Sequence, residues 1–136
     1  MRVDNLIPLV LAAIALFALY KAYRKARQAR RERLIDSYPF PPSIAAKVSK
    51  TYPHLSDAEV MRVMQGLREY FHLCNSAGRR MVSMPSQVVD VAWHEFILFT
   101  RKYEYFCGKA LGRFLHHTPA EAMRSPTSAQ AGIKTA

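Results

Sequence analysis

The sequence predicts an all-α protein: one N-terminal transmembrane helix, followed by a small cytoplasmic bundle of three to four helices. Three observations predict this. Leu6–Tyr20 is a run of fifteen residues without a charge. Apolar residues recur at the helical period through Val60–Cys74 and again through Val88–Phe106. Ser56, Ser86 and Thr118 stand where helix N-caps belong. A chain of 136 residues fits one domain plus a segment. The expected layout is a membrane anchor at 1–23, a basic juxtamembrane helix and Pro-rich linker at 24–42, a helical domain at 43–123 and a disordered tail at 124–136.

As a helix the uncharged run spans about 22 Å, against about 30 Å of hydrocarbon. Val3 before it and Ala22 and Tyr23 after it extend the span. Tyr20 and Tyr23 suit the interface and Lys21 can snorkel. Pro8 is placed in the first turn after Asn5, where proline is tolerated. A cleaved signal peptide would carry its positive charge ahead of the apolar core, with small residues at a cleavage site. Here the charge follows the core, which favours an anchor over a signal peptide. An apolar helix docked on a partner is the third reading of the same run.

The net charge is +10, and much of it is local: Lys21–Arg33 holds seven basic residues against Glu32 alone. The positive-inside rule then places the N-terminus outside and the C-terminal part in the cytoplasm, at the inner membrane. The same cluster would meet anionic lipid headgroups. The rest of the basic excess is spread thinly, so nucleic acid is not an expected partner. Two cysteines, Cys74 and Cys107, make no disulfide framework. The helix is expected to reach about Ile35, because Ala, Arg, Gln and Glu are good helix formers.

Ser37–Pro42 has three prolines in six residues and breaks the helix; the boundary between anchor and domain falls here. Ser43–Thr51 reads as a short helix with Ile44, Ala45 and Val48 inward. Leu55–Cys74 reads as a long one, opened by a Ser56/Glu59 capping box, with His72 on its outer face and Gly66 allowing close approach of a neighbour. Gly78 stops it. From Ser86 to Cys107 there is no Gly or Pro, which predicts one central helix of about five to six turns. Val88, Ala92, Phe96, Phe99, Tyr103 and Phe106 share its core face. Val91, Leu98 and Tyr105 fall on the opposite side, so the helix is expected to be contacted on more than one side. Thr118, Pro119 and Glu121 mark a last short helix.

The chemistry-bearing residues are Asp90 and His94, four apart on the central helix, then His116 and His117. Imidazole and carboxylate together suit zinc, iron or manganese, so a divalent metal held by Asp90, His94, His116 and His117 is one reading. In another, Asp90 only orients His94. In the plainest, Asp90 favours the helix dipole, Trp93 fills the core and the histidines pack loops. Cys107, beside Phe106, looks buried and inert. There is no H-E-x-x-H, C-x-x-C, G-x-S-x-G or phosphate loop.

The run Val89-Asp90-Val91-Ala92-Trp93-His94, then Tyr103, Phe106-Cys107, Gly112 and His116, resembles the pattern of the glycine-rich-domain-containing-protein-like family, a D-x-x-W-H series followed by an aromatic-Cys pair and a later His. The likeness covers roughly Met84–Met123. Plant members often carry a second His two places after the first, where this chain has Phe96, and long Gly-rich regions, where this chain has five Gly in all. It looks like a small bacterial-type member with an added anchor. The resemblance implies no established catalytic activity, so it supports the site without naming a reaction.

The expected function is that of a membrane-tethered binding or accessory protein, with Asp90, Trp93, His94 and Tyr103 as candidate binding residues for a ligand or protein partner. The alternative is a metal-dependent enzyme or metal carrier using His94 with His116 or His117 and Asp90.

Overall fold

The computed structural model describes residues 2–84 and 86–118. They form five α-helices, α1 (Val3–Ser37), α2 (Pro42–Thr51), α3 (Asp57–Ala77), α4 (Gln87–Ile97) and α5 (Thr100–Phe106), and a π-helical turn at Cys107–Leu111. No strand occurs among the described residues. The expected short helix after Thr118 and the expected disordered tail lie outside the described residues, as does Pro85.

α1 runs 35 residues without interruption, a rod of about 52 Å. It begins at Val3, so Pro8 sits inside the helix rather than in its first turn. Proline has no N–H to offer the Asp4 carbonyl, and the helix continues past that missing bond. Residues 3–23 then give about 31 Å of helix, enough for the hydrocarbon layer. The apolar stretch is long enough to cross a membrane, and none of it is buried against the rest of the protein. Leu9, Leu11, Ile14, Leu16, Phe17 and Leu19 are exposed all round the rod. A contiguous apolar surface of this size marks a contact site for protein or membrane.

The far end of α1 is part of the bundle. Ile35 is fully buried. Arg68 on α3 donates to the Ile35 carbonyl at 2.7 Å and also lies 4.4 Å over the Phe40 ring. His72, expected on the outer face of α3, pairs with Asp36 at 2.7 Å. Two cationic or donor groups thus meet the C-terminal end of α1, where the helix dipole and unpaired carbonyls favour them. The Pro-rich segment does end α1, but its half-buried rings pack against the core: Tyr38 lies 5.0 Å from Phe106, and Phe40 lies 5.0 Å from Phe96.

α2 opens with Pro42 at its first position, where no N–H is needed, and buries Ile44 and Val48. α3 is capped as its sequence suggests: Glu59 N–H donates to Ser56 Oγ and Ser56 N–H to Glu59 Oε1, both at 3.2 Å. It buries Val60, Leu67, Tyr70, Phe71 and Cys74. Gly66 faces α4; a Cβ there would lie 3.0 Å from the Val89 side chain, so the small residue lets the two helices approach. Gly78, with φ 63°, turns the chain out of α3.

The single central helix is not formed. α4 ends at Ile97, Phe99 takes φ −81° and ψ 64°, and α5 starts at Thr100. Neither Gly nor Pro causes the break; packing does. In one straight helix Trp93 and Tyr103 would stand about 15 Å apart along the axis. With the break, Trp93 Nε1–H donates to the Tyr103 hydroxyl at 3.0 Å, and Phe96, Tyr103 and Phe106 are all fully buried. The Val91–Leu98–Tyr105 stripe, which required a continuous helix, dissolves. Leu98, in the break, and Tyr105, on α5, are 60% and 58% exposed, so they do not make a second contact face.

Candidate functional site

Asp90 lies in the first turn of α4, positioned by the Ser86 cap, whose hydroxyl accepts from Val89 N–H at 3.3 Å. Its Oδ1 is 3.0 Å from His117 Nε2. A carboxylate only accepts, so Nε2 carries the proton, and the second ring nitrogen of His117 is left for another partner. Both side chains reach solvent, with 40% of Asp90 and 21% of His117 exposed.

The pair is held from below by a buried relay. The His117 ring packs on Trp93 with centroids 4.7 Å apart. Trp93 donates to Tyr103, and the Tyr103 hydroxyl donates in turn to the Leu115 carbonyl. That bond ties down the segment carrying His117 two residues later. Trp93 also packs against Tyr70 at 5.1 Å, and Tyr70 donates to the Val82 carbonyl at 3.1 Å, which secures the loop leading into α4. Burial pushes the Tyr70 and Tyr103 hydroxyls well above the usual phenol range, so both remain neutral donors.

Asp90 and Trp93, three apart on one face of α4, therefore act on the same imidazole. His94, one residue further, is exposed, and its ring centroid is 5.9 Å from that of His117. His116, one of the four candidate metal ligands, instead packs against the Phe114 ring in a T-shaped arrangement at 4.7 Å. His116 and His117 have separate partners, Phe114 for one and the Asp90–Trp93 pair for the other, so they do not converge. Among the described residues, no group of three or more His, Cys, Asp and Glu side chains is placed to hold a metal ion. Of Asp90, His94, His116 and His117, only Asp90 and His117 are hydrogen-bonded to each other.

Tyr103 is fully buried and acts as a strut, not as a surface contact. Cys107 is also fully buried, and desolvation pushes its thiol up; Cys74 is pushed up to about 11 for the same reason. Both are free thiols and stay protonated near neutrality, without nucleophilic character. The sequence pattern did not bring out the Leu115 carbonyl or Tyr70. Backbone acceptors carry no residue signature. Tyr70 could have been found as the one aromatic on α3 that needs a partner for its hydroxyl once buried.

The chain has no detectable match among curated proteins or solved structures. A family model matches residues 30–136, from the last turns of α1 through the helical domain and excluding the apolar part of α1. The matched stretch takes in the whole bundle and its Asp90–His117 corner, and over it the chain belongs to the UCP032817-like family.

Proposed function

We propose that this protein is a single-pass membrane protein of the inner membrane, with its N-terminus outside and its helical domain at the cytoplasmic face, serving as a binding or accessory module. The exposed apolar face of α1 and the seven basic residues that follow it support insertion and this orientation. The basic run would rest on anionic headgroups. The module holds a protein partner or ligand at Asp90, His117 and His94, beside Trp93.

One observation carries the binding reading. The Asp90–His117 pair is open to solvent, yet a buried chain of hydrogen bonds fixes it. A surface pair that served only stability would gain little from such bracing; a recognition pair gains pre-organisation. The likeness to the D-x-x-W-H pattern supports placing the site here and brings no reaction with it. The metal-dependent alternative has only two of its four side chains joined by a hydrogen bond, and among the described residues no three of them gather around one point.

The test uses the full-length protein in membranes with a photo-crosslinking residue in place of His94. The reading expects discrete cross-links that vanish on Asp90→Ala or His117→Ala, while the protein resists alkaline carbonate extraction and a C-terminal tag is cleaved only from the cytoplasmic side. Cross-links unchanged in both variants would remove the site. Release by carbonate would remove the anchor.

A further inference from the structure

Between the basic part of α1 and the last turn of α3 lies a groove of about 490 Å³. Arg24, Lys25, Arg27 and Arg31 form one wall, with Asn75 and Ser76 on the other. Among the described residues, no carboxylate lines it. Glu32, the one acid in this stretch of α1, accepts from Gln28 at 3.4 Å.

Two features show that the groove is shaped and incomplete. The Arg31 guanidinium lies over Gly112, where a Cβ would overlap it, so a glycine makes room for the cation. Desolvation and the neighbouring Arg27 charge both disfavour the protonated form of Arg31, as expected where cations crowd without a counter-ion. At the opposite wall both Nδ2 and Oδ1 of Asn75 are buried with no hydrogen-bond partner. The nearby Cys74 and Gly78 carbonyls already accept from Arg113, so the amide is the polar group left over. Buried amides are seldom left unpaired at both ends, and an orphan of this kind calls for a ligand or water.

The groove also lies at a defined depth. With residues 3–23 in the hydrocarbon, Arg24–Arg31 occupies the next ~10 Å of helix, which begins in the headgroup layer of about 5–8 Å per leaflet. Arg24 and Arg27 fold back over the Tyr20 and Tyr23 rings, each at 5.8 Å, which turns their guanidinium groups toward the bilayer.

We propose that this groove binds the headgroup of an anionic phospholipid bearing two or more negative charges, with Arg24, Arg27 and Arg31 on its phosphate oxygens and the Asn75 amide on a phosphate or hydroxyl oxygen. The proposal rests on the membrane insertion of α1. It goes beyond loose attraction to a charged surface, because Asn75 is neutral and its buried amide contributes only if a headgroup enters the groove and the side chain turns to meet it. Guanidinium forks match phosphate oxygens in pairs.

The experiment reconstitutes the full-length protein in nanodiscs of phosphatidylcholine doped with phosphatidylglycerol or diphosphatidylglycerol. Native mass spectrometry then counts the lipid retained on each chain. One diphosphatidylglycerol per chain is expected, in preference to the other two lipids. Asn75→Leu, which changes no charge, is expected to lower that retention about tenfold, the loss of one hydrogen bond to a charged group. Should Asn75→Leu fail to fold, Arg27→Gln is compared with Arg33→Gln, which removes the same charge away from the groove; only the first is expected to lower retention. Retention unchanged in a folded variant overturns the groove while leaving the membrane anchor intact. Release of the protein by carbonate overturns the anchor itself. Inorganic pyrophosphate binding in detergent, with no preference among the three lipids, assigns the phosphate to a soluble source and overturns the lipid.

Discussion

Removing one oxygen atom should loosen both the core and the candidate site. In Tyr103→Phe the ring stays, but its hydroxyl, which accepts from Trp93 Nε1 and donates to the Leu115 carbonyl, is lost. Trp93 is 5% exposed and Leu115 9%, so water cannot readily replace the missing partner. An unpaired buried group costs about 1–3 kcal/mol, and two such groups together cost roughly 2–4 kcal/mol, since the Leu115 end lies nearer the surface. For a domain of this size each kcal/mol moves Tm by about 4–8 °C, so the midpoint should fall by about 8–32 °C. The full-length protein in detergent would be melted with far-UV circular dichroism and with emission from Trp93, the one tryptophan. The freed segment should also let the His117 ring leave Trp93, changing the native-state emission. Tyr105→Phe, at an exposed hydroxyl, is the control and should stay within about 0.5 kcal/mol. Combining Tyr103→Phe with Trp93→Phe should cost less than the sum of the two, because they share a bond. A loss under about 0.5 kcal/mol for Tyr103→Phe, comparable to that control, would refute the relay.

Three further outcomes follow from the geometry. Arg68→Ala removes both the donor to the Ile35 carbonyl and the cation over Phe40; it should cost about 1.5–3 kcal/mol and open Ser37–Pro42 to limited proteolysis that the native protein resists. Gly112 has φ 72°, so Gly112→Ala should cost about 1–2 kcal/mol in chemical denaturation and displace Arg31, whereas Gly108→Ala, with open space at its Cβ, should cost nothing comparable. Native Cys74, its thiol raised from 9.0 to about 11 by burial, should resist iodoacetamide at pH 8 and react only after unfolding. Because its folded value lies above the unfolded one, its contribution to stability is full below about pH 9 and disappears as pH rises through about 11. A pH series of melting curves, with Cys74→Ala beside the native protein, checks that slope.

The local features were legible in the chain. An uncharged run followed by a basic cluster specifies a long exposed helix whatever else folds. Ser56 with Glu59 makes its capping box within one turn. Gly66 opposite Val89 and Gly78 at a positive φ behave as their small size suggests. In each case the deciding interaction spans four residues or fewer, or the residue has no side chain to place.

What the tertiary structure decided is where those local pieces point. Nothing near Leu98 and Phe99 forbids helix, yet the chain bends there because burying Phe96, Tyr103 and Phe106 around one core, and joining Trp93 to Tyr103, outweighs one continuous ladder. His117 and not His116 meets Asp90 because the Leu115 carbonyl is tied to Tyr103, which sets which neighbour faces α4. The last turn of α1 and the rings of Tyr38 and Phe40 join the core because Arg68 and His72, on another helix, hold that end in place. Periodicity reports which residues share a side of one helix. Which partner that side meets depends on contacts between residues far apart in the chain, and those exist only once the bundle has closed.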